Sequence, residues 1–147
     1  MKAHIWFRAL AVVLALFTLG HTLGTRHAIT SDPREALVLT AMQGFRVPVM
    51  GFHRTYFEFY RGFSITISIL LAILMIVAWQ IAALSRRAPR AALPFAVTLL
   101  LACIGQTVVV FIYFFTAPMI LSVLAVICAA VGVALLAREA GRPSVIS

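Results

Sequence analysis

The sequence predicts an all-α membrane protein, an antiparallel four-helix transmembrane bundle with a short helix in a long first extracytoplasmic loop. Hydrophobic residues make up 63% of the 147 residues and charged residues only 11%, whereas about a quarter of the residues in soluble domains are charged. Four apolar runs each approach or exceed the roughly 20 residues needed to cross a bilayer. Because these runs use most of the chain, we expect a single domain over residues 1–147.

The four apolar runs are predicted to be helices at residues 4–24, 57–84, 93–115 and 119–137. Lipid cannot hydrogen-bond backbone groups, so a spanning segment must be a helix or part of a closed barrel, and these runs lack the alternation of barrel strands. The first run follows Lys2 and is similar to a signal peptide, but no A-x-A cleavage site follows it. We therefore expect it to be the first transmembrane helix.

The first loop is long and contains its own helix signals. Asp32 suits an N-cap and Pro33 suits the first helical position. Glu35 completes a pair similar to a capping box, and Gly44 is a helix stop. These signals predict a short helix at about residues 33–43, which would cover the end of the bundle. The next segment, FRVPVMGF, is apolar and interrupted by proline and glycine, so it is predicted to be extended or re-entrant.

The other two connections are short. SRRAPRAA joins the second and third predicted helices, and TAP joins the third and fourth. In TAP, Pro118 is expected to end one helix and to allow the next to begin. Connections of this length make consecutive helices antiparallel neighbours.

The basic residues predict the orientation in the membrane, because Lys and Arg are retained preferentially on the cytoplasmic side. If both termini are cytoplasmic, one side collects Lys2, Arg8, Arg86, Arg87, Arg90, Arg138 and Arg142. The formal net charge of +8 does not indicate a nucleic-acid partner, since no run of five or more basic residues occurs.

Polar residues gather near the outer ends of three predicted helices. Arg54, Glu58 and Arg61 are spaced i, i+4 and i+7 on the second helix, so Glu58 can pair with either arginine. Ionisable and amide groups are costly when they face lipid, so they usually face the bundle interior. We therefore predict a pocket in the outer half of the bundle. The candidate ligand-binding residues are His21, His53, Glu58, Arg61 and Gln106.

These residues also have purely structural interpretations. Arg54 and Arg61 can extend to headgroup phosphates, with Glu58 as their partner. His21 can hydrogen-bond a neighbouring helix, and Gln106 can join two helices through its amide group. The sequence leaves both sets of interpretations open.

No metal, cofactor or active site is predicted. His21 and His53 could ligate iron, or a metal together with Glu58, but no two histidines are spaced i and i+4 and no C-x-x-C-H site occurs. Cys103 and Cys128 fall inside predicted helices, where cysteine acts as a small apolar residue. No nucleophile–base set or phosphate-binding loop is present. Proton transfer by His21 or Glu58 on a lipophilic substrate stays an alternative.

Four short motifs occur in order: LGHTLG at residues 19–24, FYRGF at 59–63, AWQ at 78–80 and YFFTAP at 113–118. Through them the chain resembles a family of small bacterial four-helix integral membrane proteins that has no assigned function. The resemblance covers most of the chain. It implies a bacterial cytoplasmic (inner) membrane protein, and it implies no activity and no catalytic residues.

The predicted pocket favours a binding function. We expect the ligand to be a membrane lipid or another small lipophilic molecule such as a quinone, with its polar head held by the candidate residues. The main alternative is an accessory subunit whose helices pack against a larger membrane complex or against further copies of the chain. An enzyme acting on a lipophilic substrate is the third alternative.

Overall fold

The computed structural model describes residues 2–26 and 32–141. In this part the chain forms five helices and a two-stranded sheet: α1 (Ala3–Gly24), α2 (Pro33–Gly44), β1 (Arg46–Val49), β2 (Phe52–Thr55), α3 (Tyr56–Arg87), α4 (Pro89–Tyr113) and α5 (Thr116–Ala140). Helices α1, α3, α4 and α5 are long and apolar enough to cross a membrane. The predicted all-α class and the four membrane-length helices are therefore confirmed.

The two short connections are shorter than predicted. Helix α3 continues to Arg87 and α4 begins at Pro89, so SRRAPRAA shrinks to a single linking residue. Proline fits at the start of a helix because its missing N–H would have no intrahelical partner there. The predicted link TAP is wrong, since it forms the first turn of α5 and the extended residues Phe114 and Phe115 make the connection. Pro118 is tolerated because it falls in that first turn.

The chain divides into two compact units. The first unit contains residues 1–17 and 71–147, and the second contains residues 18–70. Helices α1 and α3 contribute residues to both units. The single domain stays a prediction.

In the first unit, α4 and α5 form an antiparallel helical hairpin. Arg90, near the start of α4, donates from Nε to the carbonyl oxygen of Ala140 at the end of α5 over 2.9 Å. Thr107, in the second half of α4, donates to the carbonyl oxygen of Ser122 near the start of α5 over 3.3 Å. The two-residue connection leaves the helices no other arrangement as neighbours.

The first turns of α1 pack along the C-terminal half of α5. The backbone N–H of Ala3 donates to Glu139 Oε1 over 3.1 Å. One turn further on, the ring of Phe7 is fully buried and faces Gly132. A methyl group at Gly132 would come within 3.0 Å of that ring. These contacts follow one another in opposite directions along the two helices, so α1 and α5 are antiparallel here.

The second unit contains a β-hairpin between α2 and α3. Strands β1 and β2 pair antiparallel, with Val49 opposite Phe52 next to the turn. The turn residues Met50 and Gly51 have φ angles of 47° and 86°, and two positive φ angles are typical of a type I′ hairpin. The extended backbone predicted here is confirmed. The pairing was not predicted, because methionine is an unusual residue at a type I′ position.

Helix α2 begins where its capping signals lie. The Asp32 carboxylate accepts a hydrogen bond from the backbone N–H of Arg34 over 2.8 Å, and Pro33 is the first helical residue. No residue of α2 is buried. Phe45 follows the helix and stacks on Tyr56, with ring centroids 5.8 Å apart. The placement of α2 in an extracytoplasmic loop stays a prediction.

Candidate ligand-binding cleft

The second unit contains an open cleft of about 530 Å³ between the end of α1 and the first half of α3. Its wall carries two guanidinium groups, four hydroxyl groups and three apolar side chains. The lining residues are Thr22, Thr25, Arg26, Phe57, Arg61, Ser64, Ile65, Ser68 and Ile69. An apolar wall with a few convergent polar groups is typical of sites for small molecules.

Helical periodicity places the polar lining residues of α3 on one face. Arg61, Ser64 and Ser68 are spaced i, i+3 and i+7. At a rise of 1.5 Å per residue, Arg61 is about 8 Å from the start of α3 and Ser68 about 11 Å further along. Ile65 and Ile69 each follow a serine by one residue. The cleft therefore runs from a charged helix end to a hydroxyl-lined end, with an apolar strip beside it.

On the α1 side, local hydrogen bonds extend the last turn of the helix past Gly24. The backbone N–H of Thr25 donates to the carbonyl oxygen of His21 over 3.0 Å, and that of Arg26 donates to the carbonyl oxygen of Leu23 over 3.2 Å. The Thr25 hydroxyl also donates to the His21 carbonyl over 2.9 Å. These bonds hold Arg26 at the helix end, where it lines the cleft.

Ser68 is the centre of a hydrogen-bonded cluster that joins α1 and α3. Its Oγ lies 3.1 Å from Nδ1 of His21 and 3.0 Å from Oγ1 of Thr22. Thr22 Oγ1 also lies 2.7 Å from the carbonyl oxygen of Thr18. Because a carbonyl oxygen only accepts hydrogen bonds, the single hydroxyl proton of Thr22 is donated to Thr18.

One arrangement of the remaining protons satisfies every contact of the cluster. In that arrangement Ser68 donates its hydroxyl proton to Thr22, and Nδ1 of His21 carries the proton that is donated to Ser68. In the neutral ring this leaves Nε2 as an acceptor. All three contacts are satisfied without a charged histidine, which suits a helix in the membrane.

The two arginines of the cleft have no counter-ion in the part of the chain that the structure describes. Neither Arg26 nor Arg61 forms an ion pair or a hydrogen bond through its guanidinium group within residues 2–26 and 32–141. A salt bridge in the second unit joins Arg54 Nη1 to Glu58 Oε1 over 3.4 Å. Both cleft arginines are exposed, so their charge is accessible to an anion.

Glu58 has a structural role at the start of α3. Its Oε2 accepts a hydrogen bond from the backbone N–H of Thr55 over 2.7 Å. The backbone N–H of Glu58 donates to the Thr55 hydroxyl over 3.1 Å. This reciprocal pair is a capping box, and the second carboxylate oxygen pairs with Arg54. Glu58 thus caps a helix and does not line the cleft.

The other predicted site residues have different positions. Arg61 lines the cleft, and His21 contacts it through Ser68. His53 is exposed on β2 opposite Pro48 and does not line the cleft. Gln106 is half-buried on α4 in the first unit, so its grouping with the other four stays a prediction.

Sequence reasoning missed two lining residues that matter for the chemistry. Ser68 continues the face of Arg61 and Ser64, and that spacing was a signal from which it could have been found. Arg26 follows the last predicted residue of the first helix by two positions and gave no periodic signal. Only the hydrogen bonds that prolong α1 place it in the cleft wall.

The described residues contain no group of three or more His, Cys, Asp or Glu side chains that could hold a metal ion. Cys103 and Cys128 are free, buried thiols of the first unit. Their burial agrees with the predicted role of small apolar residues.

No protein-family model, curated protein or solved structure matches this chain. The resemblance to small bacterial four-helix membrane proteins therefore stays a prediction. The function proposed below rests on the geometry of the cleft.

Proposed function

We propose that the cleft of the second unit binds a small lipophilic molecule with a polar head, such as a lipid or a quinone-like compound. The observation that carries this proposal is the presence of guanidinium, hydroxyl and aliphatic groups in one open cleft at the ends of two membrane-length helices. A bound molecule would place its head near Arg26 and Arg61 and its apolar part along Ile65 and Ile69.

The size and shape of the cleft support a ligand of this kind. Its volume of about 530 Å³ lies within the range of roughly 300–1,000 Å³ that is usual for ligand sites. One side of the cleft is open, which suits a molecule whose apolar chains remain in the bilayer while its head is held by the protein. Phe57, at the charged end, adds an aromatic surface.

We also propose an antiparallel four-helix bundle in a bacterial inner membrane, with both termini cytoplasmic and the cleft in the outer half. Two contacts in the first unit support a common side for the termini. Ala3 meets Glu139, and Arg90 meets Ala140, so the starts of α1 and α4 lie at the end of α5. Most of the basic residues assigned to the cytoplasmic side are close in sequence to these ends. Helix α2 would then cover the cleft from outside.

A substitution that fills the cleft tests the binding function. Ile65 lines the cleft and is 54% exposed, so Ile65→Trp would occupy the space of the ligand. The matched control is Ile73→Trp, because Ile73 is 48% exposed on the same helix and does not line the cleft. Native mass spectrometry of the detergent-extracted protein should show a bound lipophilic molecule that Ile65→Trp removes and Ile73→Trp retains. Equal occupancy in both variants would contradict the proposal.

The same preparation separates the alternatives. An accessory subunit would carry a protein partner in fixed stoichiometry, and both tryptophan variants would carry the same amount of bound lipid. An enzyme would convert its co-extracted lipid over time, and His21→Ala would stop that conversion.

A further inference from the structure

We propose that the head of the ligand carries a phosphate group, so that the cleft selects an anionic phospholipid over a neutral lipid or a quinone. This inference rests on the proposed function, because it names the class of ligand that the same cleft takes. It is carried by two arginines and a nearby hydroxyl group that share one cleft, none of which has a counter-ion or hydrogen-bond partner among the described residues.

The charge of the cleft is fixed, and no described residue compensates it. Arginine stays protonated at any physiological pH, so Arg26 and Arg61 place two positive charges in one site. No carboxylate belongs to the lining, and Glu58 is held by Thr55 and Arg54. Repulsion between like charges grows as the surroundings become less polar. An anionic ligand would therefore supply the negative charge that balances the two arginines.

Phosphate matches the donors of this site better than a quinone head does. A guanidinium group donates paired hydrogen bonds to phosphate oxygens, and one phosphate has enough oxygens to engage two arginines. Ser64, one turn along α3 from Arg61, has no hydrogen-bond partner among the described residues for its hydroxyl group, so that group can donate to the same anion. The carbonyl groups of a quinone are neutral and would leave both charges uncompensated.

The apolar wall favours a lipid as the source of the phosphate. Ile65 and Ile69 lie beside the hydroxyl-lined part of the cleft. A phospholipid would place its phosphate at the arginines and Ser64, and its acyl chains along the isoleucines. A soluble phosphate ester would leave this apolar strip without a contact.

The test titrates the full-length protein, delipidated in a neutral detergent, with four probes and counts bound molecules by native mass spectrometry. The probes are phosphatidylglycerol, a diacylglycerol with the same acyl chains, a short-chain quinone, and glycerol 3-phosphate. We expect phosphatidylglycerol to bind at least about tenfold more tightly than the other three. Arg26→Gln and Arg61→Gln should each weaken its binding by roughly ten- to a hundredfold, the usual effect of losing a hydrogen bond to a charged group.

The control variant is Arg46→Gln, because Arg46 is an exposed arginine of β1 that does not line the cleft. It removes the same charge and should leave phosphatidylglycerol binding unchanged. Equal weakening by Arg46→Gln would overturn the inference, since the attraction would then be a general effect of charge.

The four probes separate failure of this inference from failure of the proposed function. If the diacylglycerol or the quinone binds as tightly as phosphatidylglycerol and the arginine variants leave binding unchanged, the inference of a phosphate group is wrong. The proposal of a lipophilic ligand is then retained. If glycerol 3-phosphate binds as tightly as phosphatidylglycerol, the ligand is a soluble phosphate ester and the lipid source is wrong. If none of the four probes binds, the proposed function itself fails.

Discussion

Replacing Gly132 by alanine should destabilise the first unit, because the added methyl group would crowd a buried aromatic ring. It would lie 3.0 Å from two ring carbons of Phe7 and 3.3 Å from a third. Phe7 is fully buried, so its ring cannot turn aside into lipid. The contact lies between α1 and α5, and relieving it requires a shift of one helix or an unfavourable rotamer.

Two opposing free-energy terms decide the size of the effect. Overpacking of a buried site costs about 1–3 kcal/mol, whereas exchanging a helical glycine for alanine contributes roughly 0.5–1 kcal/mol of stabilisation. The steric cost is larger, so Gly132→Ala should lower the free energy of unfolding by about 1 kcal/mol. Gly105 provides a matched control, because it occupies the same position in a helix of equal length and nothing lies within 4 Å of a methyl group there.

The comparison of the two alanine variants isolates the steric term, since the backbone term is common to both. Gly105→Ala should be at least as stable as the unmodified protein, and Gly132→Ala should be less stable than Gly105→Ala by about 1–3 kcal/mol. Equilibrium unfolding in detergent micelles can be followed by tryptophan fluorescence, because Trp6 and Trp79 both belong to the first unit. Equal stability of the two variants would refute the close packing of Phe7 on Gly132.

Three further predictions concern other parts of the chain. Glu58→Ala should speed hydrogen exchange in the first turn of α3, because losing a cap costs about 0.5–2 kcal/mol, and it should leave ligand occupancy unchanged. Thr55→Ala should have the same two effects. Loss of bound ligand would contradict the purely structural role of Glu58. Met50→Gly should slow hydrogen exchange across the β-hairpin, because a left-handed backbone costs a non-glycine residue roughly 1–2 kcal/mol. Removing the side chain loses little packing, since Met50 is 97% exposed. Unchanged hydrogen exchange would contradict the positive φ of Met50. Cys103 and Cys128 should resist a membrane-impermeant maleimide until the protein is denatured, because both thiols are buried, and rapid labelling would contradict that burial.

The helices were predictable from sequence because lipid imposes one requirement on every spanning segment. A run of apolar residues longer than the bilayer must pair its own backbone groups, and this identifies α1, α3, α4 and α5. Their ends were less predictable, because proline can either terminate a helix or begin one. Pro118 illustrates the difficulty, since its residue type predicts a connection and the structure places it in the first turn of α5. The hairpin was missed because pairing depends on a turn at Met50 that the residue type does not favour.

The site was predictable only in part, because sequence periodicity fixes the face of one helix and not its register against another. The spacing of Arg54, Glu58 and Arg61 allowed two ion pairs, and the structure contains the one with Arg54. Which arginine pairs with Glu58 depends on the start of α3, where Thr55 and Glu58 form a capping box. In the same way, the contact between His21 and Ser68 depends on how α1 and α3 are rotated against each other. The sequence pattern of neither helix determines that rotation.

Hydrocarbon requires a polar side chain to find a partner, but the partner need not be a ligand. The partners of Glu58 are the two residues that precede its own helix, and the partner of His21 is Ser68 on a neighbouring helix. Both therefore satisfy the rule that selected them as site residues without needing a bound molecule. Arg26 and Arg61 satisfy it in neither way among the described residues. Water, the bilayer surface and a ligand can each supply the partner that the described residues do not, so the cleft they share is the place where an outside molecule contributes most.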